Sequence, residues 1–100
     1  MTRTEHLLVI LAEECNEVAQ RCAKALRFGL REIEPGQRLT NADRIMQEYA
    51  DLMALVDMLV EDQSLPHGHL TLAIQQKRAK VKRFLNYSEE CGTLSAKEPK

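Results

Sequence analysis

Residues 4–28 read TEHLLVILAEECNEVAQRCAKALRF, and this stretch decides the fold because its apolar side chains recur in steps of three and four. Such steps align side chains along one stripe of an α-helix, so the stretch predicts a long amphipathic helix. The predicted stripe comprises Leu8, Leu11, Cys15, Val18, Cys22 and Ala25. The sequence EPGQRLTN then interrupts the pattern with Pro35 and Gly36, and Thr40 or Asn41 is a natural N-cap for a second helix.

Two more helices are predicted after this break. The second runs to about Asp62 and presents one apolar stripe, formed by Ile45, Tyr49, Leu52, Val56 and Leu59. After a second break, QSLPHGH, the third helix has on one face Leu70, Ile74, Val81 and Phe84. No segment alternates apolar and polar residues as a strand does. The chain is therefore predicted to be all-α, with an antiparallel bundle of three helices in residues 1–87 and a polar, flexible tail at 88–100.

The composition limits the size of the core and the kinds of partner. A chain of 100 residues forms one domain, near the smallest size that sustains a core alone. Because the apolar faces at residues 7–12 and 52–60 are broad, we expect oligomerisation to complete the core, as a homodimer or homotetramer. The formal net charge of -1 gives no global attraction to nucleic acid or membrane, and the apolar run at the start is too short to span a bilayer. Reduced core thiols, typical of a cytoplasmic protein, are predicted for Cys15, Cys22 and Cys91.

Two pairs of acidic residues interrupt otherwise apolar helical sequence. Glu14 and Glu17 lie three residues apart in EECNE, and Glu48 and Asp51 lie three apart in EYAD. Residues three apart on a helix project side by side, so each pair shares one helix face. If the two helices pack antiparallel, the pairs meet, and four carboxylates in one place repel unless they are protonated or bound to a cation. The pattern predicts a site for Mg²⁺ or Mn²⁺, with ordinary solvated helix acids as the alternative.

The two acidic motifs also resemble a known family. EECNE at residues 13–17 followed by EYAD at 48–51 is similar to the E-E-x-x-E … E-x-x-D signature of the MazG-like, all-α nucleoside triphosphate pyrophosphohydrolases. That superfamily includes the dimeric dUTPases and the phosphoribosyl-ATP pyrophosphohydrolases. The chain looks like the short, single-domain members of phages and bacteria, over roughly residues 5–87. The resemblance implies Mg²⁺-dependent hydrolysis of a nucleoside triphosphate between the α and β phosphates, which yields monophosphate and pyrophosphate.

The resemblance further implies roles for individual residues. Carried over position by position, the metal ligands are Glu14, Glu17, Glu48 and Asp51. A metal ion held by carboxylates can bridge phosphate oxygens and lower the pKa of an attacking water. The candidate catalytic residues are Glu13 and Glu17. Glu13 lies about 100° around the helix from Glu14, and it is either an outer carboxylate or the base that orients water.

Phosphate groups need cations, and aromatic or apolar side chains can stack a base. Arg21 and Lys24 follow Glu17 on the same face of the first helix and are candidate phosphate ligands. A second phosphate-binding wall is predicted on the third helix, where basic residues recur every three positions, at Lys77, Lys80 and Arg83. For each of these cations the alternative is a solvated charge. The candidate base-pocket residues, chosen for their position near the acids, are His6, Ile10, Phe28 and Tyr49.

Two other functions compete with this interpretation. The first is a non-catalytic helical interaction protein of the same fold, which would show no Mg²⁺ dependence in nucleotide binding or turnover. The second is a nucleic-acid binder that uses KRAKVKRF at residues 77–84 as a basic helix. The net charge of -1 and the absence of a helix-turn-helix spacing argue against nucleic acid as the partner.

Overall fold

The computed structural model describes residues 1–68 and 70–95 of the chain. Its helices are α1 (Arg3–Phe28), α2 (Asn41–Glu61) and α3 (Leu70–Glu90), and the described ranges contain no strand. The predicted all-α class with three helices is therefore confirmed. α3 continues to Glu90, so the first residues of the segment that we assigned to a tail are helical. His69 and the part of the predicted tail at 96–100 lie outside the described residues.

Local capping signals determine where α1 and α2 begin. The Thr2 hydroxyl accepts a hydrogen bond from the Glu5 amide at 3.1 Å, and the Glu5 carboxylate accepts one from the Thr2 amide. The same capping box recurs at the start of α2, where Thr40 pairs with Asp43. Each box satisfies amide groups that the first turn of a helix leaves unpaired. Of the two residues predicted as the α2 N-cap, Thr40 takes that role, and the side chain of Asn41 turns to the interior instead.

α1 and α2 form an antiparallel hairpin, because contacts join the start of one helix to the end of the other at both ends. At one end the Arg3 guanidinium donates a hydrogen bond to the Asp62 carboxylate at 2.7 Å. At the other end the Asn41 side-chain amide donates to the backbone carbonyl of Gly29 at 2.8 Å. Gly29 ends α1 with a φ of 101°, a left-handed conformation that favours glycine. The hairpin brings the middle of α1 beside the middle of α2.

The side of α1 that faces α2 differs from the predicted stripe by about one position. Glu14, Val18 and Arg21 are half-buried on this side, between the buried Leu7 and Ala25. The stripe was predicted from apolar character alone, whereas Glu14 and Arg21 lie against charged groups of α2. The residues of the two predicted stripes that the structure leaves exposed are Leu8, Cys15, Cys22 and Tyr49. The prediction of core thiols was therefore wrong, since Cys91 is exposed as well.

Few apolar residues are buried in the described part of the chain, namely Leu7, Ala25 and Leu59, and of these only Leu59 is fully buried. Residues 1–66 form one compact unit, in which α1 and α2 pack together, and a second unit begins at His67. No described side chain of α3 is buried. Among the described residues, no helix combines the length and apolar character that crossing a membrane requires. The three-helix bundle and its completion by oligomerisation stay predictions.

Candidate metal centre

Three carboxylates converge where the middle of α1 meets α2. Glu14 comes from α1, and Glu48 and Asp51 come from successive turns of α2. One carboxylate oxygen of each lies within 4.8 Å of the other two. Glu14 and Glu48 are half-buried, and Asp51 is exposed at the edge of the interface. The antiparallel packing thus brings together three of the four acids predicted as metal ligands.

The environment of Glu14 disfavours its ionised form. Burial is the largest cause of its raised pKa, and the negative charges of Asp51, Glu48 and Glu17 raise it further. The Oε2 atom of Glu14 is buried and has no hydrogen-bond partner. The adjacent Glu48 carboxylate can satisfy that oxygen only by sharing a proton with it, because an ionised carboxylate has no hydrogen to donate. A proton or a cation at this position would therefore stabilise Glu14.

The donor set fits a hard divalent cation. Mg²⁺ and Mn²⁺ prefer carboxylate oxygens, and Mg²⁺ is commonly bound by one or two carboxylates together with water and substrate phosphates. Glu14 offers a buried oxygen without a partner, and Asp51 leaves the group open to solvent on one side. A cation here would offset the charge repulsion that raises the pKa of Glu14. The three oxygens can therefore form the protein part of an open, oxygen-ligand metal site.

Glu17 and Glu13, the other two acids of EECNE, lie outside this group. Glu17 follows Glu14 by one turn and is half-buried, and its charge contributes to the raised pKa of Glu14. Its carboxylate is not among the three that lie within 4.8 Å of one another. Glu13 is exposed on α1. Both residues thus lie beside the group, and their predicted roles as ligand or base stay predictions.

Arg21 is the cation adjacent to the acidic group. Its Nε atom lies 3.9 Å from Oε1 of Glu48, which is an ion pair but too long for a hydrogen bond. The Nε and Nη1 atoms of Arg21 are buried and have no hydrogen-bond partner. Buried donors without partners are unfavourable, particularly on a charged group. Arg21 therefore places a positive charge next to the acids, with two donors that the structure leaves without partners.

A cavity of about 260 Å³ lies farther along α1, at its C-terminal end. Lys24 and Phe28 form its α1 side, so one predicted phosphate ligand and one predicted base-pocket residue share a cavity. His6 lies 22 residues before Phe28 on the same continuous helix, roughly 33 Å along its axis. The two residues therefore do not line one pocket within a single chain, and the predicted base pocket stays a prediction. Ile10 and Tyr49 do not line this cavity either.

Residues of the α1–α2 connection and the first residue of α2 complete this cavity, and they were absent from the predicted site. The other lining residues are Glu32, Glu34, Pro35 and Asn41. The sequence EPGQRLTN at residues 34–41 predicts a break and an N-cap, and from these two features no ligand-binding residue was predicted. A polar residue directly after an N-cap, here Asn41, was the available clue.

The basic residues of α3 are exposed on a helix that belongs to the second unit. Lys80 lies over the ring of Phe84, with 5.9 Å between its Nζ atom and the ring centroid. Lys77 and Arg83 are exposed as well. Their predicted part in phosphate binding stays a prediction.

Comparisons with protein-family models, with curated proteins and with solved structures found no match to this chain. The resemblance of EECNE and EYAD to the MazG-like signature therefore rests on those residues alone. The convergence of Glu14, Glu48 and Asp51 is a separate observation, since it depends on how the two helices pack.

Proposed function

We propose that this protein is a Mg²⁺-dependent nucleoside triphosphate pyrophosphohydrolase, which cleaves between the α and β phosphates and releases a monophosphate and pyrophosphate. The observation that carries the proposal is the convergence of Glu14, Glu48 and Asp51 from two helices, with one buried Glu14 oxygen lacking a partner. The resemblance of the two acidic motifs to the MazG-like signature supports the reaction type.

In this proposal the acidic group holds the metal ion, and Mn²⁺ can replace Mg²⁺. Glu14, Glu48 and Asp51 would be its ligands, and Glu17 would add a fourth carboxylate from the next turn of α1. Bound Mg²⁺ would supply charge neutralisation on the phosphates and a lowered pKa for water. Glu13 and Glu17 are the candidates to accept the proton of the attacking water, because each lies next to Glu14 along α1.

Two cations of α1 are proposed to bind the phosphate chain. Arg21 is next to the acids and has two buried nitrogen atoms without hydrogen-bond partners. Lys24 follows one turn later and lines the cavity. Arginine and lysine are common phosphate ligands, and the guanidinium of arginine presents its donors in a fixed fork that matches phosphate oxygens. The order along α1 is therefore metal ligands first, then phosphate ligands.

We propose that the protein is cytoplasmic and acts as a homodimer or homotetramer. Free thiols at Cys15, Cys22 and Cys91 suit a reducing compartment. The need for a partner subunit is supported by the small number of buried apolar side chains and by large exposed ones on α1, such as Leu8 and Val9. A second subunit can cover such side chains.

The experiment that tests the function is a panel of common and modified nucleoside triphosphates incubated with Mg²⁺, with products identified by chromatography. We expect at least one triphosphate to yield monophosphate and pyrophosphate, and EDTA to stop the reaction. Asp51→Asn should remove this activity, whereas Asp57→Asn, an exposed acid on the same helix, serves as the matched control. No metal-dependent turnover of any triphosphate by folded protein would refute the proposal.

A non-catalytic interaction protein is the second candidate. It is favoured by α3, where large apolar side chains such as Leu72, Ile74 and Phe84 are more than half exposed. Exposed apolar side chains of this kind often mark a surface that binds another protein. A folded protein that binds a protein partner through α3, and shows no Mg²⁺ dependence in nucleotide binding, would favour this function over hydrolysis.

A further inference from the structure

The cavity at the C-terminal end of α1 has the composition of a ring-binding site. Phe28 contributes an aromatic side chain that is 53% exposed, and Pro35 adds a second apolar wall. Arg27 lies over the Phe28 ring, with 4.9 Å between its Cζ atom and the ring centroid. Aromatic side chains stack planar heterocycles through their faces, and each such stack contributes roughly 1–3 kcal/mol.

The polar groups of the cavity are mainly acceptors. Asn41 is 2% exposed, and its Nδ2 atom donates to Gly29 O at 2.8 Å and to Glu32 Oε1 at 2.9 Å. Both amide hydrogens are used in this way, so the Oδ1 atom remains to accept a hydrogen bond. Glu34 adds an acceptor, and its hydrogen bond to Arg44 and the charge of Lys24 lower the pKa of its carboxyl group. Such a wall favours a ring with an exocyclic amino group.

The same acids exclude a phosphate from the interior of the cavity. The Glu32 and Glu34 carboxylates would repel it, and among the described residues that line the cavity only Lys24 is cationic. Lys24 can instead bind a phosphate outside the cavity, on the side toward Arg21, which is one turn earlier on α1. The ring and the phosphate of one ligand would then lie on opposite sides of Lys24.

The distance along α1 determines which ring can reach the cavity. Phe28 follows Glu14 by 14 residues, roughly 21 Å along the helix axis. In the proposed function the α phosphate lies at the acidic group, and its own base is separated from it only by a ribose. That base therefore stays at the acidic end, and the cavity can be reached only from the far end of the phosphate chain.

We propose that the cavity formed by Lys24, Phe28, Glu32, Glu34, Pro35 and Asn41 binds a second, amino-bearing nucleobase at the far end of a polyphosphate chain. The substrate class is then a dinucleoside polyphosphate with adenine or cytosine in the cavity. The inference rests on the proposed function for the position of the first nucleotide, whereas the ring site itself stands on the cavity alone.

The reaction with such a substrate balances without any further reactant. With a dinucleoside tetraphosphate, the water oxygen forms a bond to the phosphorus at the acidic end. The bond from that phosphorus to the next bridging oxygen breaks, and the bridging oxygen leaves with the electron pair. The products are a nucleoside monophosphate and a nucleoside triphosphate, and the protons of the water go to solvent through the acidic group. Pyrophosphate is not a product of this substrate.

The ring site is tested first, without metal. Amide resonances of ¹⁵N-labelled protein are followed in EDTA while AMP, CMP, IMP or UMP is added. We expect AMP and CMP to shift the amides of Gly29, Gly36 and Asn41. IMP and UMP, which have a keto group in place of the amino group, should bind about tenfold more weakly. Absence of these shifts, or equal binding of all four nucleotides, would overturn the proposal.

Phe28→Ala should weaken AMP binding about tenfold or more, because it removes the stacking surface. Leu26→Ala is the matched control, since Leu26 lies on the same turn of α1, is 89% exposed and does not line the cavity. Phe28→Leu is the second variant, which keeps the apolar volume and removes the aromatic face. If Phe28→Ala and Leu26→Ala bind AMP equally, stacking on Phe28 is excluded and the proposal fails.

The proposed binding mode, in which one dinucleoside polyphosphate extends from the acidic group to the cavity, is called the spanning arrangement and is tested by hydrolysis with Mg²⁺. We expect the KM of a dinucleoside tetraphosphate to be about tenfold below that of the triphosphate. Phe28→Ala should raise the KM of the dinucleoside tetraphosphate to about that of the triphosphate, whereas Leu26→Ala, which lies outside the cavity, should leave both KM values unchanged. Equal KM values in the wild-type protein would overturn the spanning arrangement and leave the proposed function intact. Cavity binding without hydrolysis of any nucleotide would support the ring site and overturn both the proposed function and the spanning arrangement.

Discussion

Replacing Asp51 by asparagine is expected to remove the stabilisation that Mg²⁺ gives to the folded protein. Asp51 supplies one of three carboxylates whose oxygens lie within 4.8 Å of one another, so the substitution removes a charged ligand and leaves the backbone unchanged. At a Mg²⁺ concentration of ten times its Kd, binding to the folded state adds about 1.4 kcal/mol to the free energy of unfolding. For a chain of this size, that corresponds to a rise in Tm of roughly 6–11 °C.

The variant should lose nearly all of this shift. Loss of a group that merely supports a metal ligand weakens affinity about 10- to 100-fold, and loss of a ligand should weaken it at least as much. With a hundredfold weaker Kd, the same Mg²⁺ concentration adds only about 0.1 kcal/mol, a Tm change of under about 1 °C. Without metal, the Tm of Asp51→Asn should equal or exceed that of the wild type, because one repelling charge is gone.

The assay is thermal unfolding followed by circular dichroism during titration with Mg²⁺ or Mn²⁺. Asp57→Asn is the control for the loss of one acid from α2, and it should keep the full shift. Glu17→Gln tests whether Glu17 is a fourth metal ligand. If it is, the variant should lose the Mg²⁺-dependent rise in Tm; if it is not, the variant should keep it. A folded Asp51→Asn protein with the wild-type response to Mg²⁺ would refute the ligand assignment.

The remaining predictions concern phosphate binding, pH, the helix connection and assembly. Lys24→Ala should lower turnover and leave the Mg²⁺ affinity nearly unchanged, because it removes a phosphate contact and no metal ligand. Full activity of this variant, or release of orthophosphate by the wild-type protein without added pyrophosphatase, would exclude the proposed order of metal ligands and phosphate ligands along α1. In metal-free protein, the raised pKa of Glu14 means that the folded state holds its proton more tightly than the unfolded state. The free energy of unfolding should therefore fall as pH rises from 4.5 through that raised pKa, and this slope should be smaller in Glu14→Gln when urea unfolding is measured across pH. Asn41→Ala should lower the free energy of unfolding by about 2–4 kcal/mol, because it removes two partly buried hydrogen bonds, one of them to a carboxylate. Gln37→Ala, exposed in the same connection, should change it by less than about 0.5 kcal/mol in the same urea titration, and equal effects would contradict this role of Asn41. Sedimentation should show a dimer or tetramer at micromolar concentration, and a stable folded monomer would contradict the proposed assembly.

The helices could be predicted from sequence because the signals that begin and end them are local. Thr40 with Asp43 forms a capping box within four residues, and Pro35 with Gly36 interrupts the helical pattern directly. The meeting of acids from α1 and α2 was also predictable, since their spacing and an antiparallel turn are enough to bring them together. These features depend on neighbours in the sequence or on one simple packing rule.

The buried side of α1 could not be predicted in the same way. Periodicity shows that a stripe exists, but two stripes one residue apart have nearly the same period. Choosing by apolar character favoured Cys15 and Cys22, whereas the structure half-buries Glu14 and Arg21 opposite charged groups of α2. The cavity was missed for another reason, since Asn41 was considered only as an N-cap, and its side-chain hydrogen bond to the end of α1 is a contact between residues 12 positions apart.

The half-buried charges explain why ligand binding and folding should be coupled in this protein. Between the apolar contacts at the two ends of the hairpin, the interface contains Glu14, Arg21 and Glu48. Three buried nitrogen or oxygen atoms of this group lack hydrogen-bond partners, and each such atom lowers the stability of the ligand-free fold. In the proposed function, a cation would satisfy the Glu14 oxygen, and the positive charge of Arg21 would attract the phosphate. Because a metal-bound phosphate would then interact with both groups, we expect Mg²⁺ and nucleotide together to raise the Tm by more than the sum of their separate effects. Strictly additive shifts in the wild-type protein would show that the two groups act independently.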